Sequence, residues 1–126
     1  MIERQWDEET GIIYVSATGE WSEADIDAHY GALRGMIARL RGEGRPIRVL
    51  SDVAHAPRQG YSREEHILGQ MRRTFRPGDR MALVTADAGD KAYVRSIVGG
   101  LEVGVFASKL PAEMWLLLDE LDADKK

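Results

Sequence analysis

The chain has 126 residues, 44% hydrophobic and 30% charged, with a formal net charge of −4 and no cysteine. A chain of this length makes one domain and buries roughly two-thirds of its unfolded surface, enough for a core without staples. The missing cysteines exclude a disulfide scaffold and a thiolate metal site, and the negative charge argues against a nucleic-acid partner, which needs a basic footprint. The opening Met1 to Glu9 holds no apolar stretch of signal-peptide type, and no run approaches the ~20 apolar residues of a membrane span. The expectation is a cytoplasmic protein with no integral membrane segment, in keeping with a reducing compartment.

In chain order, Ile2, Arg4 and Trp6 alternate with polar residues, which predicts a short edge strand. Thr10-Gly11 marks a turn, and Ile12 to Thr18 reads as the second strand of a β-hairpin. Ser22 with Asp25 forms a capping-box pattern. Behind it Ile26, Tyr30, Leu33, Ile37 and Leu40 make one apolar helical stripe, stopped by Gly42, Gly44 and Pro46. Ile47 to Leu50 is a strand running into Ser51-Asp52. The stretch Val53 to Tyr61 lacks a helical period and reads as a loop. Ser62-Arg-Glu-Glu is a second capping box, with Ser62 as the cap of a helix whose inner side is Ile67, Leu68, Met71 and Phe75 and which ends before Pro77-Gly78.

Arg80 to Ala86 is nearly continuous in apolar residues, the mark of a strand covered on both faces. Asp87 can cap a third helix running to about Val98 and closed by Gly99-Gly100. Glu102 to Ala107 is a last strand, and Ser108 caps a final helix containing Met114, Trp115, Leu117, Leu118 and Leu121. Gly31, Gly35 and Gly69 fall inside helical patterns, where close approach of neighbouring elements would justify them. The predicted order is β-β-α-β-α-β-α-β-α: a mixed, mostly parallel five-stranded sheet flanked by four helices. Residues 1–121 are expected to form one domain and 122–126 a charged, mobile tail.

Several segments carry a resemblance across most of the chain. These are Ile12-Ile-Tyr-Val-Ser-Ala-Thr-Gly-Glu-Trp, Asp25 at the first helix start, Ile47-Arg-Val-Leu-Ser-Asp, Met81-Ala-Leu-Val-Thr, and Val103-Gly-Val-Phe-Ala-Ser followed by Ala112 and Trp115-Leu. With them the sequence resembles the SpoIIAA-like family, a bacterial group related to STAS domains and to the CRAL-TRIO lipid-binding fold. The resemblance implies a helix-flanked mixed sheet and brings no established enzymatic activity, and no cofactor is expected. In related anti-sigma-factor antagonists a phosphorylatable serine follows an aspartate at the start of the second helix. Ser62 stands near that place, but Ala54-His-Ala-Pro-Arg-Gln-Gly-Tyr-Ser lacks the expected Asp-Ser-Ser-Gly.

The stretch Ser51 to Tyr61 follows the carboxyl end of a strand, where open α/β sheets bind ligands. Ser51, Asp52, His55, Arg58, Tyr61 and Ser62 are therefore the candidate ligand or partner residues. Asp52 and His55 can form a carboxylate–imidazole pair, but no activated nucleophile accompanies them, so no catalytic residue is assigned. His29, His55 and His66 show no metal-ligand spacing, and no metal site is expected. Arg72, Arg73, Arg76 and Arg80 make a candidate basic patch, which equally complements a helix C-terminus. The Leu116 to Leu118 run suits a homodimer interface or an apolar cavity under the last helix. These features predict a non-enzymatic regulatory module that contacts a protein partner or itself. The alternative is a small carrier holding an apolar or lipid-like ligand between helices and sheet. A third class, an enzyme using Asp52 and His55, lacks a nucleophile.

Overall fold

In the computed structural model, which describes residues 1–86 and 102–118, side chains alternate between the two faces of one sheet. The strands are β1 (Ile2–Asp7), β2 (Ile12–Ala17), β3 (Arg48–Asp52), β4 (Arg80–Val84) and β5 (Val103–Phe106). The described helices are α1 (Glu23–Gly42), α2 (Tyr61–Thr74) and α3 (Lys109–Leu116). The sheet order is β1-β2-β3-β4-β5; β1 runs antiparallel to β2, and the other three pairings are parallel. Three of the four expected helices are thus seen. The expected helix from Asp87 to Val98, Gly99-Gly100, Leu121 and the 122–126 tail lie outside the described residues.

The period of two decides what each face buries. Ile13, Val15, Ala17, Val49 and Met81 join Ile26, Tyr30, Leu33, Ile37 and Leu40 of α1 and Met71 of α2 in one core. Ile12, Leu50, Ala82 and Val84 point the other way, onto Ala112 and Leu116 of α3. Helices α1 and α2 share a face, as right-handed crossovers produce when strands are added in one direction. That order never reverses, so the sheet has no topological switch point and any ligand site must be sought elsewhere.

Helix α1 starts as its sequence dictates. The Ser22 hydroxyl accepts from Asp25 N at 3.1 Å and the Asp25 carboxylate accepts from Ser22 N at 2.9 Å. Helix α2 does not. Its cap is Gly60, at φ +93°, with no side-chain cap bond, and Ser62 lies exposed inside the first turn. The capping-box reading of Ser62 is therefore corrected. Glycine alone enters this left-handed conformation without cost, and it starts the helix two residues before the serine. The connecting loop loses Tyr61 to α2: Ser51 and Asp52 end β3, and residues 53–60 join the two elements. Ser108 does occupy the cap position of α3, though its hydroxyl makes no cap bond. At Gly31, Gly35 and Gly69 a Cβ would meet nothing within 4 Å among the described residues, so the expected close approach is not seen there.

Polar side chains join the elements. Asp27 of α1 accepts from Gln70 Nε2 of α2 at 2.6 Å and bonds His66 Nε2 at 2.6 Å, while Arg34 donates to Gln70 Oε1 at 2.7 Å and to Thr74 Oγ1 at 3.2 Å. This seam explains why Gln70 and Thr74 are buried. At the other end of α1, Arg41 grips the buried Asp79 carboxylate with two bonds, 3.0 and 2.7 Å. On the α3 face, Phe106 and Trp115 pack with centroids 5.8 Å apart, and the Arg80 guanidinium lies 5.5 Å from the Trp115 ring. Gly104 sits beneath this group: a Cβ there would stand 2.7 Å from Phe106 Cε2 and 3.1 Å from Trp115 Cδ2. Gly104→Ala is expected to destabilise the fold by roughly 1–3 kcal/mol through overpacking, read by urea denaturation. An unchanged midpoint would mean that the Phe106 ring swings away freely.

Candidate ligand cavity between helices and sheet

Near the carboxyl ends of the strands, the core on the α1/α2 face is incomplete. The inward positions there carry small side chains, Ala17, Ser51 and Thr85, and the 53–60 loop adds Ala56 where a bulkier residue would fill space. A cavity of ≈ 170 Å³ remains. It is lined by Val15, Met81 and Leu83 from the sheet, by Ile26, His29, Tyr30, Ile67 and Met71 from the helices, and by Trp21 just before α1. Apolar atoms dominate this lining.

The loop closing one side is well tied down. Val53 N donates to Val84 O at 2.9 Å, extending the β3–β4 ladder past Asp52. The Gln59 amide bonds Trp21 N at 2.8 Å, Gly19 O at 3.0 Å and Pro57 O at 2.9 Å, which locks the loop to the segment entering α1. Trp21 is held further by its indole N–H on Thr18 O and by Arg63 on its carbonyl. Arg58 reaches the cavity edge and pairs with Glu64 at 3.2 Å.

Two polar groups of α1 line the cavity. His29 Nδ1 stands 3.1 Å from Arg4 Nη1 of β1. A guanidinium only donates, so Nδ1 accepts and the proton of the neutral ring sits on Nε2. Burial, with a smaller contribution from the Arg4 charge, pushes the His29 pKa down to about 4, so the ring is neutral at pH 7. Tyr30 packs edge-on to His29 with centroids 4.8 Å apart, and burial raises its phenol pKa well above the usual value.

No protein-family model matches this sequence, and no curated protein is similar to it. Solved structures are similar in three dimensions. One is an uncharacterized protein from the DUF3478 family with a SpoIIAA-like fold, from Shewanella loihica PV-4, 18% identical over 92% of each chain with a TM-score of 0.68. The fold is SpoIIAA-like. A second, an anti-sigma factor antagonist from Mycobacterium paratuberculosis, is 11% identical over 92% of this chain and 94% of its own, with a TM-score of 0.60. At these identities the likeness concerns the fold. The cavity therefore lies between the helices and the sheet of a SpoIIAA-like domain.

This SpoIIAA-like frame separates the residues singled out from sequence. Ser51 and Arg58 line the cavity; the Ser51 hydroxyl contacts Met81 Sδ at 3.9 Å. Asp52 accepts from Ala54 N at 3.1 Å, and His55 is exposed, so the two form no carboxylate–imidazole pair. Tyr61 is exposed and donates to Glu65 at 2.9 Å. Arg72, Arg73 and Arg76 are exposed, whereas the Arg80 side chain is drawn onto Glu102, the Trp115 carbonyl and the Trp115 ring. Among the described residues no three His, Asp or Glu side chains converge as metal ligands, and no described helix is long and apolar enough to cross a membrane. His29 is the site residue that sequence reasoning missed. It stands three positions after Ile26 and four before Leu33, on the apolar stripe of α1. A polar residue on such a stripe is the available signal.

Proposed function

We propose that this chain is a cytoplasmic binding module whose site is the cavity between α1, α2 and the sheet, and that it takes a small apolar ligand there. One observation carries the reading: a largely apolar cavity of ≈ 170 Å³, open on one side to solvent and flanked by a loop fixed through Gln59. The volume also limits the ligand. It is close to the roughly 150 Å³ of an engineered cavity that binds benzene, and below the ~300 Å³ at which pockets for drug-sized molecules begin. A ring-sized or short branched ligand fits within it, at the small end of the apolar or lipid-like carrier that the sequence offered as its alternative.

A second reading, contact with a protein partner or with another copy, draws on a different surface. Leu110, Met114 and Leu118 are 68%, 53% and 41% exposed and recur every four residues along α3 and just past it. The likeness to an anti-sigma factor antagonist favours a regulatory use of this kind. The two sites lie on opposite faces of the sheet, so ligand and partner can be held together.

Native mass spectrometry of the freshly purified protein, compared with its denatured mass, tests both. The expected result is a small adduct, lost on denaturation and absent from an Ala56→Phe variant that fills the cavity; the same spectrum reports monomer or dimer. If the wild type carries no adduct and its melting temperature is unmoved by saturating benzene or toluene, the cavity is not a binding site.

A further inference from the structure

We infer that the cavity recognises a ring-sized apolar compound bearing a carbonyl or carboxylate group, whose oxygen accepts hydrogen bonds from His29 Nε2–H and the Tyr30 hydroxyl. The inference rests on the cavity being a ligand site and adds what the ligand must carry.

His29 and Tyr30 are only 7% and 8% exposed, and both line the cavity. The Arg4 contact occupies Nδ1 and leaves Nε2 as a polarised N–H donor. Among the described residues neither this N–H nor the Tyr30 hydroxyl has a protein partner, yet neither is sealed off from a water-sized probe. Buried donors are almost always satisfied, and one left unmade costs about as much as a lost hydrogen bond. Other polar groups around the cavity are already engaged: the Gln59 amide by Trp21, Gly19 and Pro57, and Ser51 by Met81. Two open donors on adjacent residues of α1, in an otherwise apolar lining, specify the complement. A hydrocarbon would leave both unmet. A carbonyl or carboxylate has lone pairs enough for both and brings no donor that would lack an acceptor. The Arg4 guanidinium behind the imidazole strengthens the Nε2–H as a donor and favours an oxygen rich in negative charge.

The test is a titration with toluene, acetophenone and benzoate, followed by NMR of 13C-methyl methionine and 15N histidine. Met71 and Met81 line the cavity and report occupancy, with the exposed Met114 as control. All three probes are expected to shift Met71 and Met81, but only the two oxygen-bearing probes to shift His29 Nε2. The ratio of acetophenone to toluene affinity is expected to fall roughly three- to tenfold in Tyr30→Phe and in His29→Phe, the size of one hydrogen bond. Acetophenone and benzoate then separate a neutral from a charged acceptor. Binding of all three probes with His29 Nε2 unmoved overturns this inference and leaves the cavity reading standing. Probes that move neither Met71 nor Met81 overturn both. The His29 signal is read in the wild type, so the inference stays open to refutation even if a variant fails to fold.

Discussion

Asp79→Ala is expected to lower stability by about 2–3 kcal/mol at pH 7, measured by urea denaturation. Asp79 is buried, accepts both Arg41 bonds and also caps Arg76 N at 2.8 Å. Its loss strands a guanidinium and a backbone N–H at once. Removing one member of a buried pair typically costs ~3–5 kcal/mol, and we take a smaller value because the Arg41 side chain keeps 24% of its exposure and part of its hydration. Asp79→Asn, which keeps the shape and one acceptor, should cost less than half as much. Equal losses for Ala and Asn would show that charge matters and acceptor geometry does not. The pair ties the C-terminal turn of α1 to the start of β4, so the cost falls on the frame of the cavity, at a distance from it.

Acid is expected to weaken the fold through His29. The folded pKa of about 4 lies below the 6.5 of a free imidazole, so the unfolded chain takes up this proton first as pH falls. The contribution is fully present above about pH 6.5 and is lost progressively down to pH 4, reaching about 3 kcal/mol in all. Burial and the neighbouring Arg4 both oppose the imidazolium, so the sign is the same for each cause. In His29→Phe the slope of stability against pH between 6.5 and 4 should flatten by that amount. Carboxylates contribute their own acid dependence in both proteins, and only the difference between them reports His29. Parallel curves for wild type and variant would place the ring in water, against the burial on which the proposed site depends.

Much of the architecture was legible because it depends on local periodicity. The stripe Ile26, Tyr30, Leu33, Ile37, Leu40 is buried residue for residue, and the β1–β2 hairpin closes across Asp7 to Gly11 with Gly11 at φ +70°. Less was legible wherever two local solutions compete. Gly60 and Ser62 can each start α2, and the glycine does so because the chain arrives there in a left-handed conformation that serine would resist. The loop after β3 was a sound place to look for a site. Of its candidates, though, Ser51 and Arg58 reach the cavity, while Asp52 turns back to its own backbone. His29 could have been noticed as a polar residue on an apolar stripe. Its partner Arg4 could not, being 25 residues away on another element.

The sequence by itself determined the order of the described strands and helices, the antiparallel first strand and the absence of cysteine chemistry. Each follows from neighbours in the chain or from composition. Only the tertiary structure decided that the small residues Ala17, Ser51, Ala56 and Thr85, spread over four segments, meet in one place and leave ≈ 170 Å³ unfilled. A cavity is a deficit of volume summed over elements that pack together, and no local pattern records that sum. The same holds for its polarity. Whether His29 and Tyr30 are satisfied or open depends on what the sheet brings opposite them, and there β1 offers one guanidinium to two side chains.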